Sequence, residues 1–310
     1  MNITLVLIYF VLVFLSLFIF NKKFLKKNLV DKITSRSSHK TISTRSGGIS
    51  IFLILFLISL YSYFVGSEIY DFSILIPLGI LFLVGFYDDL YNVDFKLKFI
   101  FQIIVAKILI DSGFLIDNLH GVLGIYELNR IISQLLSIFI IVAVINSINF
   151  IDGIDGLAAS IVAIFIMFFE LISKEFTPFY NFSIFILISI IPFLYFNFRK
   201  ENKVFLGDSG SLFLGGIVSV YIMHILSYEY IIKESFDVNK IFYVFSIFIY
   251  PTIDLIRVVF LRLINGKSPF DADRNHIHHY LIDKFHSHYK VVLIIIMFSL
   301  IGFTLIHLLI

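Results

Sequence analysis

The stretch "INSINFIDGIDGLAAS", residues 145–160, interrupts a chain made mostly of Ile, Leu and Phe. Asn146, Asn149, Asp152 and Asp155 recur every third residue, and Gly153 and Gly156 follow the carboxylates. On an ideal α-helix a three-residue step drifts by about 60°, so the four polar groups would spread over half the helix. They can converge only where the helix ends or unwinds, and the glycines permit that. Irregular backbone at membrane depth is tolerated where it lines a cavity. A plain polar hairpin between two spans explains one Asn or one Gly, but not four ordered polar groups.

The rest of the chain makes the bilayer its solvent. Its 310 residues are 59% hydrophobic and 15% charged, whereas soluble chains run near 45–50% apolar and about 25% charged. The absence of Cys excludes disulfides and thiolate metal sites. A net charge of +2 is too small for a nucleic-acid binder. The reading is therefore an all-α polytopic membrane protein, a single domain over 1–310.

A span takes about 20 mostly apolar residues. Ten segments meet this: roughly 3–20, 47–65, 72–90, 97–116, 130–149, 156–172, 180–197, 211–227, 241–261 and 291–309. The first lacks a basic leader and a small-residue cleavage site, so it reads as a retained helix rather than a signal peptide. Ten spans place both termini on one side. Lys and Arg then set the orientation. The 21–46 loop carries Lys22, Lys23, Lys26, Lys27, Lys32, Arg36, Lys40 and Arg45, and further loops on that face carry Lys96, Lys98, Arg199, Lys200, Lys203, Arg257, Arg262, Lys267, Arg274, Lys284 and Lys290. The opposite loops carry only Arg130, Lys174, Lys233 and Lys240. Both termini are thus expected outside, with the basic loops in the cytoplasm.

Every polar cluster falls on that same cytoplasmic face: "RSSHKTISTRSGG" (36–48), "GFYDDL" (85–90), the opening stretch, "FLGDSGS" (205–211) and "GKSPFDADRNHIHHYL" (266–281). Ionisable groups gathered on one rim of an apolar bundle mark a functional site. Asp88 and Asp89 are adjacent and diverge by about 100° on a helix, so they sit at a rim or line a cavity. Amide and carboxylate oxygens suit Mg²⁺, which leaves its other positions to water and phosphates. "LGDSGS" matches the G-D-S-G of serine proteases, but that chemistry belongs to β-barrels. It lacks the G-x-G-D of intramembrane aspartyl proteases, because residue 205 is Phe. Ser209 and Gly210 suit a helix start with exposed N–H groups, which favours an anion.

His276 and His279 are three apart and can share a helix face. Three His without a fourth ligand make a poor zinc site. With Asp271, Asp273 and Arg274 alongside, phosphate or diphosphate binding is the better reading. His286 and His288 read as solvated surface residues, and Asp254 with Arg257 as an ion pair supporting the site.

The ordered set D-D, N-x-x-N-x-x-D-G-x-D-G-L-A, G-D-x-G-S and H-x-H-H resembles the polyprenyl-phosphate N-acetylhexosamine-1-phosphate transferases of glycosyltransferase family 4. The resemblance runs from about residue 36 to 281. "SPFDADRNHIHH" is similar to the O-antigen and teichoic-acid branch, because Ile277 interrupts the three consecutive His typical of the peptidoglycan phospho-MurNAc-pentapeptide transferases. One departure is "HKTISTRSGG", with Ile42 and Thr44 where family members often carry a Pro-containing stretch.

The resemblance implies transfer of an N-acetylhexosamine 1-phosphate from a UDP-N-acetylhexosamine to undecaprenyl phosphate in a bacterial inner membrane. Asn149 and Asp208 would hold Mg²⁺, with Mn²⁺ as a substitute. Asp88 would deprotonate or orient the lipid phosphate. Asp89, Asp152 and Asp155 would support metal, lysine or nucleotide contacts. Arg274, His276, His278 and His279 would hold the diphosphate and sugar, and His39, Lys40 and Arg45 are further substrate-binding candidates. A homodimer is a family-level expectation. The rival class is a secondary transporter, but those sites lie near the bilayer midplane in repeated halves, and no repeat is visible here.

Overall fold

The computed structural model describes residues 3–31, 42–67, 70–227, 230–232, 239–269 and 274–309. His39, Lys40, Asp271 and Asp273 lie outside the described residues. The described chain is a helical bundle. In order it comprises α1 (Ile3–Lys26), α2 (Gly47–Val65), α3 (Leu75–Tyr91), α4 (Phe95–Asp111), α5 (Arg130–Ile151), α6 (Leu157–Ile172), α7 (Tyr180–Asn197), α8 (Gly207–Ile225), α9 (Asn239–Ile247), α10 (Ile249–Ile264), α11 (Ile277–Phe285) and α12 (His288–Leu309). Two short parallel strands, β1 (Ser43–Thr44) and β2 (Lys203–Val204), pair Ser43 with Lys203.

Among the described residues seven helices are long and apolar enough to cross a membrane, and a bent pair raises the number to eight. The predicted fourth and sixth spans form helices of only 17 and 16 residues. The predicted ninth span is not one straight helix. It breaks at Phe248, and α9 and α10 meet at 81°. Pro251 is the cause within reach of the sequence. It has no N–H to bond back to the Ile247 carbonyl, so the ladder fails there.

The core is built around α8. Every residue of α8 is buried except Asp208. A helix apolar all round must be enclosed by others, and α2, α3, α5 and α6 enclose this one. Close packing without a hydrophobic drive needs small residues at the contacts. Gly85 of α3 is such a contact: a Cβ there would lie 2.2 Å from the Asp208 carbonyl oxygen. The fold thereby brings the end of α3 directly against the start of α8.

Asn146 does not join the polar ladder at the rim. It is buried and exchanges hydrogen bonds with Gln102, donating through Nδ2 at 2.7 Å and accepting at 3.3 Å. A buried amide pair satisfies both groups. It ties α4 to α5 one turn below the residues that follow.

Candidate active site

Three helix ends meet at the polar rim. α3 delivers Asp88 and Asp89 at its last turn, α5 delivers Asn149 and Asp152, and α8 delivers Asp208 at its first turn. α4 adds a residue that the motif reading missed. Lys98 Nζ lies 2.8 Å from Asp208 Oδ2 and 3.1 Å from Asp88 Oδ2. The other Asp88 oxygen accepts the Val93 N–H at 2.6 Å. Lys98 was legible only as one more positive charge fixing the orientation.

Asp89 faces a different way from Asp88. Its two oxygens accept the backbone N–H groups of Asp208 at 2.9 Å and Ser209 at 3.0 Å. The open N-terminus of α8 therefore already has its anion, and the anion is internal. An N-terminal helix dipole favours such a carboxylate. Gly207 sits beneath it, with φ +73°, and a Cβ there would meet Asp89 Oδ2 at 2.6 Å. Arg45, from the loop after β1, bonds Asp31 at 2.6 Å and reaches Asp89 at 3.5 Å. Burial works against the Arg45 charge, but Asp31, Asp89 and Asp208 outweigh it and hold its pKa above the ordinary value.

The expected inward convergence of the "NSINFIDGIDG" ladder is only partial. Asn149 Nδ2 donates to Ser211 Oγ at 2.8 Å, a bond that does not use its amide oxygen. Asp152 ends α5 with its backbone N–H donating to the Asn149 carbonyl at 3.3 Å, and its carboxylate has no hydrogen bond or ion pair among the described residues. Its carboxyl is pushed well above the ordinary carboxylate range, first by withdrawal from water and then by the charges of Asp208 and Asp89. Asp155 turns away to a second cluster. It pairs with Lys203 of β2, and its backbone N–H donates to His288 Nδ1 at 3.0 Å. His288 is thus not a solvated surface residue. Asp152 and Asp155 lie in the break between α5 and α6, and Gly156, φ +72°, caps the start of α6.

Among the described residues Asp88, Asp89, Asp152 and Asp208 face two cations, Lys98 and Arg45. An unpartnered carboxylate beside other carboxylates is a demand for positive charge. With the Asn149 amide oxygen the set is all oxygen, which fits Mg²⁺ and does not favour a thiophilic or imidazole-seeking metal.

The histidines form the opposite wall. The ring centroids of His278 and His279 are 4.3 Å apart, and His276 lies 5.2 Å from His278. His276 precedes α11 as its N-cap, so the three do not share a helix face but cluster round the helix start. Burial drives the His278 pKa well below its ordinary value, helped by its two neighbours. Burial, His276 and Arg274 lower His279 to about 4. Arg274 itself is held by Asp283 at 2.9 Å. The expected Asp254–Arg257 pair is long, 3.8 Å. Asp254 instead meets His276 Nδ1 at 2.6 Å, and Arg257 donates to the Asn275 carbonyl. A single apolar run hid this rearrangement, because the α9–α10 break re-aims Asp254.

An apolar groove of about 670 Å³ between α4, α5 and α10 runs to this rim, lined by Phe99, Ile103, Val142, Val259, Asn146 and Phe150. Phe150 also lies 5.8 Å from His276, ring to ring. A second groove of about 470 Å³ shares Phe139, Ala143, Leu255 and Ile256 with the first. Apolar surface and a charged phosphate-sized site thus meet at one place.

The family model for glycosyl transferase family 4 matches residues 71–226, which contain Asp88, Asp89, Asn149, Asp152, Asp155 and Asp208. The chain belongs to glycosyl transferase family 4. Among curated relatives it is 36% identical over 272 residues to the undecaprenyl-phosphate alpha-N-acetylglucosaminyl 1-phosphate transferase of Pasteurella multocida, covering 83% of this chain and 72% of the relative. It is 29% identical to the enzyme of the same name from Salmonella typhimurium, over 87% of this chain and 74% of the relative. It is 31% identical to the probable undecaprenyl-phosphate N-acetylglucosaminyl 1-phosphate transferase of Bacillus subtilis, over 90% of this chain and 76% of the relative. Lys98, Lys203 and His288 are the residues of this family 4 chain that motif reading left out.

Proposed function

We propose that the chain transfers N-acetylhexosamine 1-phosphate from a UDP-sugar, foremost UDP-N-acetylglucosamine, to undecaprenyl phosphate. UMP leaves, and the lipid-linked diphosphate sugar initiates a cell-envelope polysaccharide such as O-antigen or teichoic acid. The names of the relatives support the substrate classes. The observation that carries the reading is the Asp88–Lys98–Asp208 clamp beside the unpartnered Asp152, at the mouth of an apolar groove.

The groove suits the first units of a polyprenyl chain, whose remainder lies in the bilayer. An oxygen of the lipid phosphate attacks the sugar-linked phosphorus of the UDP-sugar. The bond from that phosphorus to the bridging oxygen breaks, and the electron pair leaves with UMP. Phosphoryl transfer is catalysed mostly by positioning and charge stabilisation. The lipid phosphate has a second pKa near 6 and is largely dianionic at neutral pH. Asp88 therefore acts mainly in orientation, accepting a proton only from the monoanion.

Asn149 and Asp208 would hold Mg²⁺ through their oxygens, with Asp152 facing it. When bound, the ion supplies neutralisation of the diphosphate charge. Lys98 keeps Asp88 and Asp208 apart from mutual repulsion and sets their spacing. Neutral His278 and His279 offer N–H groups to phosphate oxygens without placing cations among the Asp cluster. A charged nucleotide sugar belongs to the cytoplasm and the polyprenyl tail to the membrane, so the rim faces the cytoplasm of a bacterial plasma membrane.

Exchange of labelled UMP into UDP-N-acetylglucosamine tests this. One diphosphate is exchanged for another, so the reaction runs in both directions. Exchange dependent on Mg²⁺ and lost in Asp208→Asn is expected; full exchange in that variant without Mg²⁺ would remove the metal assignment.

A further inference from the structure

The break before α10 has a chemical consequence at the histidines. Tyr250 and Asp254 are four residues apart, so they lie on one helix face. Both are buried, 2% and 1% exposed, and both address the start of α11. Asp254 Oδ1 accepts the Ile277 N–H at 2.8 Å, and Oδ2 lies 2.6 Å from His276 Nδ1. A carboxylate only accepts, so His276 carries its proton on Nδ1. Arg262 Nη2, which can only donate, lies 3.5 Å from His276 Nε2, so that nitrogen is placed as an acceptor.

The Tyr250 hydroxyl lies 2.9 Å from His278 Nδ1. Among the described residues no other acceptor is in place for the hydroxyl proton. A buried O–H left unbonded is costly, so the hydroxyl donates and His278 Nδ1 accepts. An imidazole that accepts at Nδ1 holds its proton on Nε2. That nitrogen is buried, has no partner among the described residues, and lies 3.4 Å from where a Cβ on Gly153 would stand. His279 Nε2 lies 3.6 Å from the same point. The space over Gly153, between Asp152 and Asp155, is where a donor without an acceptor points.

We infer that Tyr250 and Asp254 are positioning residues that hold His278 and His276 in opposite tautomers, so that His278 presents an Nε2–H donor over Gly153 to a phosphoryl oxygen. The inference rests on the transferase reading for the identity of that oxygen. It belongs to the UDP-sugar diphosphate or to the lipid phosphate, and the Gly153 turn is fixed for either.

The test uses the full chain in nanodiscs, as wild type, Tyr250→Phe, His278→Gln and the double variant. Removing one hydroxyl frees the His278 tautomer, and partners of this kind are worth about tenfold or more. Tyr250→Phe is expected to raise the KM of one substrate about tenfold. A rise for UDP-N-acetylglucosamine assigns the donor to the diphosphate, and a rise for undecaprenyl phosphate assigns it to the lipid. In the His278→Gln background Tyr250→Phe should add nothing, whereas a merely structural tyrosine would cost the same in both backgrounds. ¹⁵N-histidine spectra read the tautomers without turnover, and Tyr250→Phe should move the His278 signals from the Nε2–H pattern. Unchanged spectra with additive kinetics would overturn the inference. A wild type without transferase activity but with the Tyr250-dependent tautomer would instead remove the transferase reading and leave the positioning pair standing.

Discussion

Lys98 Nζ lies 2.8 Å from Asp208 Oδ2, joining residues 110 apart in sequence across α4 and α8. The same ammonium holds Asp88 of α3. Replacing Lys98 by Met leaves two carboxylates facing each other without their cation. Loss of one preorganised charged group from an active site costs about 10²–10³ in turnover. Lys98→Met is therefore expected to lower kcat at least a hundredfold in a UMP-release assay, with Lys98→Arg retaining part of it. Wild-type kcat in Lys98→Met would contradict the clamp.

Asp89 acts on stability as well as charge. Its carboxylate bonds two N–H groups of the α8 N-terminus and is almost fully enclosed. Asp89→Asn keeps the size but exchanges an anion for a dipole at that terminus. The expected loss is about 1–2 kcal/mol, the range for a partly buried helix-end charge. Thermal unfolding of the detergent-solubilised protein measures it. An unchanged midpoint would show that α8 starts without this carboxylate.

Gly85 has no room for a side chain against Asp208. Gly85→Ala is expected to push α3 from the start of α8 and cost about 1–3 kcal/mol as an overpacking strain. It should also displace Asp88 and Asp89 from Asp208, so activity falls further than stability. Equal and small losses in both would contradict that coupling.

The bundle and the ordered polar set were legible because polar groups stand out in hydrocarbon. Asn149, Asp152 and Asp208 lie at one rim of the bundle, where the distribution of Lys and Arg places their segments on one face. Lys98 and Lys203 were not legible as site residues. A lysine near a helix end reads the same whether it orients the chain or clamps a carboxylate, and only tertiary contact separates the two. The break at Phe248 was hidden because apolar residues continue on both sides of Pro251. Asp155 was grouped with Asp152 by spacing, but in the break between α5 and α6 it turns to Lys203 and His288.

The histidine wall predicts a pH dependence. His279 is lowered from 6.5 to about 4. Between those values the unfolded chain binds a proton that the folded chain refuses, so stability falls as pH drops through that window. Above it both states are neutral at this group and stability is flat. The unfolding midpoint of His279→Gln should therefore decline less than wild type as pH falls from 6.5 toward 4. Parallel declines would contradict a desolvated His279.

Metal removal separates binding from folding. Chelation is expected to abolish transfer, and added Mg²⁺ to restore it. Transfer that persists through chelation would show that Lys98 and Arg45 suffice for charge neutralisation.

The most direct measurement is the product itself. Purified chain in nanodiscs is given UDP-N-acetylglucosamine and undecaprenyl phosphate, and UMP and lipid-linked diphosphate sugar are both quantified by mass spectrometry. The account predicts that the two products appear in equal amounts and that neither appears without the lipid phosphate. UMP release with no lipid diphosphate product, or no product with any UDP-N-acetylhexosamine, would contradict it.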